Sequence, residues 1–190
     1  DSGEVRRGST KPGNWVNLVR QSKPIVAAVN GATIGVGLTQ ILPMDYIVAA
    51  GGAKLSCRFI KMGLVPELAS SYFLVARCGL GLASELMLSG KTIDAAEAER
   101  IGLVDQVVDA DELLPEATAV ARSMGENPQV ALRMVKQLIT QNMTEQDLLE
   151  VQRRETMALT ECYESAEHKE AIAAFLEKRE PDFLKARANE

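Results

Sequence analysis

The run Ile25-Val26-Ala27-Ala28-Val29 is unbroken by any polar residue and is closed by Pro24 before it and Asn30-Gly31 after it. An apolar run between turn formers is the pattern of a strand buried on both faces, which a parallel sheet covered by helices requires. Tyr46-Ile47-Val48-Ala49-Ala50 repeats it between Asp45 and Gly51-Gly52. Gly31, Gly35 and Gly37 follow the first run, and 38–44 reads as a short helix leading to the second. Strand, glycine turn, helix and strand in that order make an α/β repeat.

The flanking segments extend this reading. Trp15, Leu18 and Val19 share a helical face over 14–21, and Lys23-Pro24 ends that helix because a residue before proline avoids the α region. A brief extended piece is expected at 54–55. From Ser70 on, helical periodicity dominates, first through Tyr72, Phe73, Val75 and Ala76, then over 83–88 and 95–101. Asp94 and Glu97 have the spacing of a capping box. One more strand is expected over 102–108, then helices over 112–124, 128–140, 145–162 and 167–179. The apolar positions Leu148, Leu149, Val151, Met157, Leu159, Ile172, Phe175 and Leu176 need a partner surface, either the core or another subunit.

Composition removes several function classes. A net charge of −5 gives no basic surface for displacing counterions, so no nucleic acid partner is expected. Cys57, Cys78 and Cys162 are widely spaced and odd in number, which reads as free thiols in a reducing compartment, with no metal site. The longest apolar stretch is interrupted by Asn30-Gly31, so no membrane span is expected. The polar, small-residue segment 1–13 reads as a mobile loop.

Lys23-Pro24-Ile25-Val26-Ala27-Ala28-Val29-Asn30-Gly31, the Gly35-Val36-Gly37 turn, Asp45, Leu88-Ser89-Gly90-Lys91-Thr92, Ala96, Gly102-Leu103-Val104 and the closing Ala174-Phe175-Leu176-Glu177-Lys178-Arg179 together resemble the crotonase (enoyl-CoA hydratase/isomerase) superfamily. The match runs in order from about Asn14 onward. It implies an α/β fold: a partial crotonase-like ββα spiral core over 14–125 and a helical C-terminal trimerisation region over 126–190. It also implies an N-terminal portion, absent from this sequence, with the first strands of the core and an Ala-Gly-x-Asp loop that gives one of two oxyanion-binding amides.

The same resemblance implies a thioester site. Charge that develops on a thioester oxygen is stabilised by fixed backbone N–H donors, and the family's second donor falls on Val36. Gly35 and Gly37 flank it and equally suit a plain tight turn. The two glutamates that family hydratases use to handle water fall on Thr39 and Phe59, neither of which acts as a base at neutral pH. Both then read as walls of the acyl pocket, with Leu68. Glu67 lies where family isomerases place a catalytic carboxylate, among apolar Val65, Leu68 and Phe59. From spacing alone it reads equally well as a helix-start carboxylate capping amides near Ser70. Phe175 and Lys178 match positions that reach the coenzyme A adenine and phosphates, and equally form an apolar helix face with an exposed lysine. The lone His168 reads as a solvated surface residue, and Cys57 and Cys78 as buried fillers.

The leading expectation is an acyl-CoA enzyme that shifts the double bond of an enoyl-CoA, with Glu67 as proton shuttle and Val36 as oxyanion donor. Its cofactor reading is no metal and no redox group, coenzyme A being part of the substrate. A hydratase that positions water through Glu67 alone comes next. A covalent reaction at Glu67, as in the family's aryl-CoA dehalogenases, ranks third because His168 suits the required base poorly. A non-catalytic acyl-CoA-binding subunit is the rival from another class, and solvent-facing Glu67 would favour it. A homotrimer or hexamer and a cytoplasmic setting complete the expectation.

Overall fold

The structure is a computed structural model that describes residues 14–188. The loop expected at 1–13 lies outside the described residues.

Two three-stranded sheets carry the chain. Helix α1 (Trp15–Gln21) ends before Pro24 and leads into strand β1 (Val26–Val29), which pairs in parallel with β3 (Tyr46–Ala50), Val26 opposite Tyr46 and Val29 opposite Ala49. Strand β6 (Gln106–Val108) adds to the far side of β3, also in parallel, with Val48 opposite Gln106. The second sheet has the order β2 (Ala32–Ile34), β4 (Lys54–Ser56), β5 (Thr92–Asp94), parallel across the first pair and antiparallel across the second.

Central β3 meets the expectation of burial on both faces: Ile47, Val48 and Ala49 are all fully buried. Edge strand β1 does not. Ala27 and Val29 are buried and Ala28 is exposed, and among the described residues β1 has a strand partner on one side only. One face of the sheet meets helix α2 (Val36–Thr39) and helix α3 (Ser70–Ser89) through Leu38, Leu42, Ile47, Phe73 and Leu74. The other face meets helix α5 (Leu113–Gly125) through Val48, Ala50, Leu113 and Ala117. This covering by helices is what a buried parallel sheet needs.

Several boundaries depart from the sequence reading for local reasons. The strand expected over 102–108 is confined to β6, because the Leu103 and Val104 amides both donate to the Ala98 carbonyl (2.8 and 3.2 Å) and close a turn after helix α4 (Ala95–Arg100). Half of the capping box forms: Glu97 N donates to Asp94 Oδ1 (2.9 Å), while the Glu97 carboxylate turns to Arg100 and not to the Asp94 amide. Helix α7 (Leu148–Glu164) starts later than expected, since the Glu145 carboxylate holds the Gln146 and Asp147 amides in a turn and Asp147 caps Leu149 N. Strands β2 and β5 went unread because three-residue strands carry too little periodicity. Helix α3 is apolar and long enough to cross a membrane by length and composition. It is broken at Gly79 (φ +75°, ψ 165°), and Phe73, Leu74, Ala83 and Leu86 pack it into the core.

Helix α6 (Gln129–Asn142) is tied to the sheet by a buried ionic cluster. Asp45 Oδ1 accepts from Arg20 Nη1 (3.0 Å), and Oδ2 accepts from both Lys136 Nζ (2.8 Å) and Ile25 N (2.8 Å). Lys136 is 5% exposed and donates further to the Val19 and Lys23 carbonyls (2.8 and 2.9 Å). Arg20 donates to Pro43 O (3.0 Å) and Thr140 Oγ1 (3.2 Å). The cluster spans the boundary expected between core and C-terminal region.

A second tie runs from helix α8 (Ala166–Glu177), which packs chiefly against α7 and helix α9 (Phe183–Ala188), back to the start of α6. Pro128 precedes α6 and offers no side-chain cap, so fully buried Glu167 accepts from Val130 N through Oε2 (3.1 Å). Among the described residues its Oε1 has no hydrogen-bond partner and lies 3.4 Å from Arg187 Nε, an ion pair without bonding geometry. Glu167→Ala strands the Val130 amide and is expected to lower stability by about 1–3 kcal/mol, whereas Glu167→Gln keeps an acceptor there and loses less. Thermal unfolding of the two variants checks this difference.

Leu148, Leu149, Met157, Leu159, Ile172, Phe175, Leu176 and Leu184 remain exposed on α7, α8 and α9, so the described residues do not cover them.

Candidate active site

The Gly35 turn is built by the second sheet. Ile34 pairs with Ser56, Gly35 N donates to Ser56 O (2.9 Å), and the backbone then swings into α2 with Gly35 at φ +59°, ψ −121°. Side-chain-bearing residues avoid that conformation, so glycine is required here for its backbone. The Leu38 and Thr39 amides both donate to Gly35 O (3.0 Å each). The Val36 and Gly37 amides precede the helix's own ladder and have no acceptor within it. Val36 itself is helical and 53% exposed. Two neighbouring N–H donors at a turn can hold an anionic oxygen. The second of them, on Gly37, had no separate signal in the sequence.

Phe59 comes to this turn from the 3-10 helix Arg58–Met62. Its ring tip lies 3.9 Å from where a Gly35 Cβ would sit, and its other side packs on the core. Phe59 O accepts from Leu64 N (3.0 Å), which starts the loop that carries Glu67. Thr39 is fully buried, with its hydroxyl turned back to Val36 O (3.4 Å). It therefore sits in the core behind the turn. The apolar cavity of about 400 Å³ lined by Leu42, Phe73, Leu132, Val135, Lys136 and Ile139 lies between α3 and α6 and includes none of the candidate site residues.

Glu67 is exposed, and its carboxylate makes no hydrogen bond or ion pair among the described residues. Capping is not its role, because α3 has no side-chain cap and only the Glu67 carbonyl takes part, accepting from Ser70 N (3.1 Å). Of the apolar neighbours expected to enclose it, Leu68 and Phe59 are half-buried, while Val65 is 81% exposed among the described residues. Between Glu67 and α3, Leu68 (φ +57°) and Ala69 (φ +55°) are both left-handed. For residues with side chains this costs on the order of 1–3 kcal/mol each and persists only where surrounding structure imposes it. Nothing in the sequence marks the pair, since neither is glycine or asparagine.

Phe175 is 80% exposed near the end of α8, and Lys178 caps that helix in the left-handed conformation. Neither is joined to the Gly35 turn by any bond among the described residues. His168 departs from its expected solvated position: it is half-buried and meets the Tyr163 ring edge-on at 5.3 Å. Burial pushes the Cys57 and Cys78 thiols up, so both stay protonated at neutral pH and make poor nucleophiles. Among the described residues no group of three or more His, Cys, Asp and Glu side chains is placed to hold a metal ion.

Among the described residues the site therefore offers a glycine turn with two amides outside the helix ladder and, on the 64–69 loop, an exposed carboxylate without a partner. The model of the family described as enoyl-CoA hydratase/isomerase matches residues 6–186, and the chain belongs to that family. A protein named probable enoyl-CoA hydratase in Mycobacterium leprae is 39% identical over 169 residues, 89% of this chain and 65% of the relative. The 2,3-dehydroadipyl-CoA hydratase of Escherichia coli is 34% identical over 174 residues, 92% of this chain and 68% of the relative. The crystal structure of enoyl-CoA hydratase from Bacillus anthracis superposes with a TM-score of 0.84 at 30% identity, covering 88% of this chain and 65% of that one. The fold is thus crotonase-like, and the chain spans about 65% of the length of the first curated relatives it matches.

Proposed function

We propose that this protein moves the double bond of a 3-enoyl-CoA to the 2-position, with Glu67 as the proton shuttle. The observation that carries the reading is the exposed Glu67 carboxylate, without a partner among the described residues, on the loop that leaves Phe59 beside the Gly35 turn. Glu67 takes a proton from C2, and the electrons of that C–H bond pass into a dienolate whose negative charge rests on the thioester oxygen. The Val36 N–H donates to that oxygen. Glu67, now protonated, returns the proton at C4, leaving the 2-enoyl thioester and the original carboxylate. The sequence uses no metal and no redox group. Loss of one such oxyanion donor typically costs about 3 kcal/mol in the barrier.

A hydratase that orients water through Glu67 is the second reading, supported by the names of the relatives. The exposure of Glu67 favours a third, an acyl-CoA-binding subunit without catalysis. One assay separates them: full-length protein is given a 3-enoyl-CoA and, separately, a 2-enoyl-CoA. Double-bond migration without water addition supports isomerisation. Efficient hydration transfers the assignment to the second reading, and binding without turnover to the third.

Phe175 and Lys178 are proposed to meet the adenine and phosphates of coenzyme A. The exposed apolar side chains of α7, α8 and α9 are proposed to be buried between copies in a homotrimer or hexamer, in a cytoplasmic setting where the three free thiols stay reduced. Sedimentation of the full-length protein is expected to give three or six times the chain mass. Leu149→Glu, at a residue 76% exposed here, is expected to shift it toward the monomer.

A further inference from the structure

Two costs meet at the start of α3. Leu68 and Ala69 hold left-handed backbone, and the helix that follows has no side-chain cap although a carboxylate lies three residues before it. The costs have one geometric cause. Were Leu68 and Ala69 right-handed, they would become the first two residues of α3, and Glu67 would fall at the N-cap position. A carboxylate there accepts from the amides two and three residues on and is favoured by the helix dipole. With the left-handed pair in place the chain turns instead, and the Glu67 carboxylate stays off those amides.

The turn is held from the α3 side. Ser70 is 1% exposed and returns its amide to Glu67 O (3.1 Å), and Ala69 O accepts from Tyr72 N and Phe73 N (3.0 and 3.1 Å). Beyond it, Leu74 is fully buried, and the Tyr72 hydroxyl donates to Met143 O (3.0 Å) at the end of α6. Packing of α3 therefore sustains the strained pair.

We infer that Leu68 and Ala69 are positioning residues: their left-handed turn withholds the Glu67 carboxylate from the α3 amides and keeps it free for the substrate. The inference rests on the proton-shuttle reading of Glu67 and adds what holds that group in place. Glycine at position 69 accepts the turn without strain, whereas a β-branched residue there is driven out of it.

The test uses full-length protein with Ala69→Gly and Ala69→Val, each with and without Glu67→Gln, followed by kcat and KM for 3-enoyl-CoA isomerisation and by thermal unfolding. Ala69→Gly is expected to raise Tm by about 2–4 °C and keep kcat within about twofold. Ala69→Val is expected to lower kcat by roughly 10- to 100-fold with KM nearly unchanged. In that background alone, Glu67→Gln lowers Tm further, because the carboxylate has become a cap. Equal kcat in the Val and Gly variants, or a Glu67→Gln effect on Tm that is the same in all backgrounds, overturns the inference. Should Glu67→Gln leave wild-type turnover intact, the shuttle reading fails, while the Tm comparison still decides whether the turn withholds the carboxylate. If Ala69→Val does not fold, Leu68→Val, which drives a β-branched residue out of the other half of the same turn, replaces it. A kcat reduced by about tenfold supports the inference, and an unchanged kcat overturns it.

Discussion

Asp45→Ala is expected to destabilise the protein by about 3–5 kcal/mol, the usual range when one member of a buried ionic cluster is removed and the others stay buried. The carboxylate serves three donors at once: Arg20 on α1, Lys136 on α6 and the Ile25 amide at the entry to β1. Without it, two cations with side chains 9% and 5% exposed lose their counter-charge. Lys136 keeps its bonds to the Val19 and Lys23 carbonyls, which prevents it from swinging out to water without stranding those acceptors in turn. For a chain of this size the loss corresponds to a fall in Tm on the order of 10 °C. The control is Arg153→Ala, which breaks an ion pair on α7 whose arginine is 58% exposed and should cost less than about 1 kcal/mol. Thermal or urea unfolding of the two variants side by side is the measurement. Equal effects would mean that the Asp45 cluster does not tie α6 to the sheet.

Glu67→Gln should do the opposite, leaving stability within about 0.5 kcal/mol while removing activity, because the carboxylate bonds nothing among the described residues. Glutamine is nearly isosteric but cannot accept the C2 proton. Loss of a general base usually lowers the rate by about 10²–10⁴-fold, and the fall should appear in kcat and kcat/KM alike, since substrate binding does not depend on the charge being moved. Isomerisation that proceeds in the mutant as in wild type would remove Glu67 from the mechanism. A fall in Tm alongside the lost activity would instead point to a structural carboxylate.

The contrast between these two residues follows how the chain encodes them. Asp45 was legible as the entry to the second apolar run and as part of a family motif, but not as an ionic centre, because Lys136 lies 91 residues away. Glu67 was legible through resemblance to a family position. Its freedom from the helix start was not, since a carboxylate three residues before a helix reads equally well as a cap.

What the residues determined by themselves is the α/β order and the glycine turn. Buried runs such as 46–50 must be paired and covered, and the backbone at Gly35 admits no side chain. The helical C-terminal third followed from periodicity, and its unburied leucines were visible as a surplus. Tertiary structure alone decided the rest. It made β1 an edge strand with Ala28 exposed and placed the Phe59 ring against the Gly35 turn. It also set Glu167 over the first turn of α6 and kept Leu68 and Ala69 left-handed. The physical reason is the same in each case. Local sequence fixes backbone preference and which faces must be buried, whereas the partner of a side chain, and the strain a segment will bear, depend on contacts between distant parts of the chain.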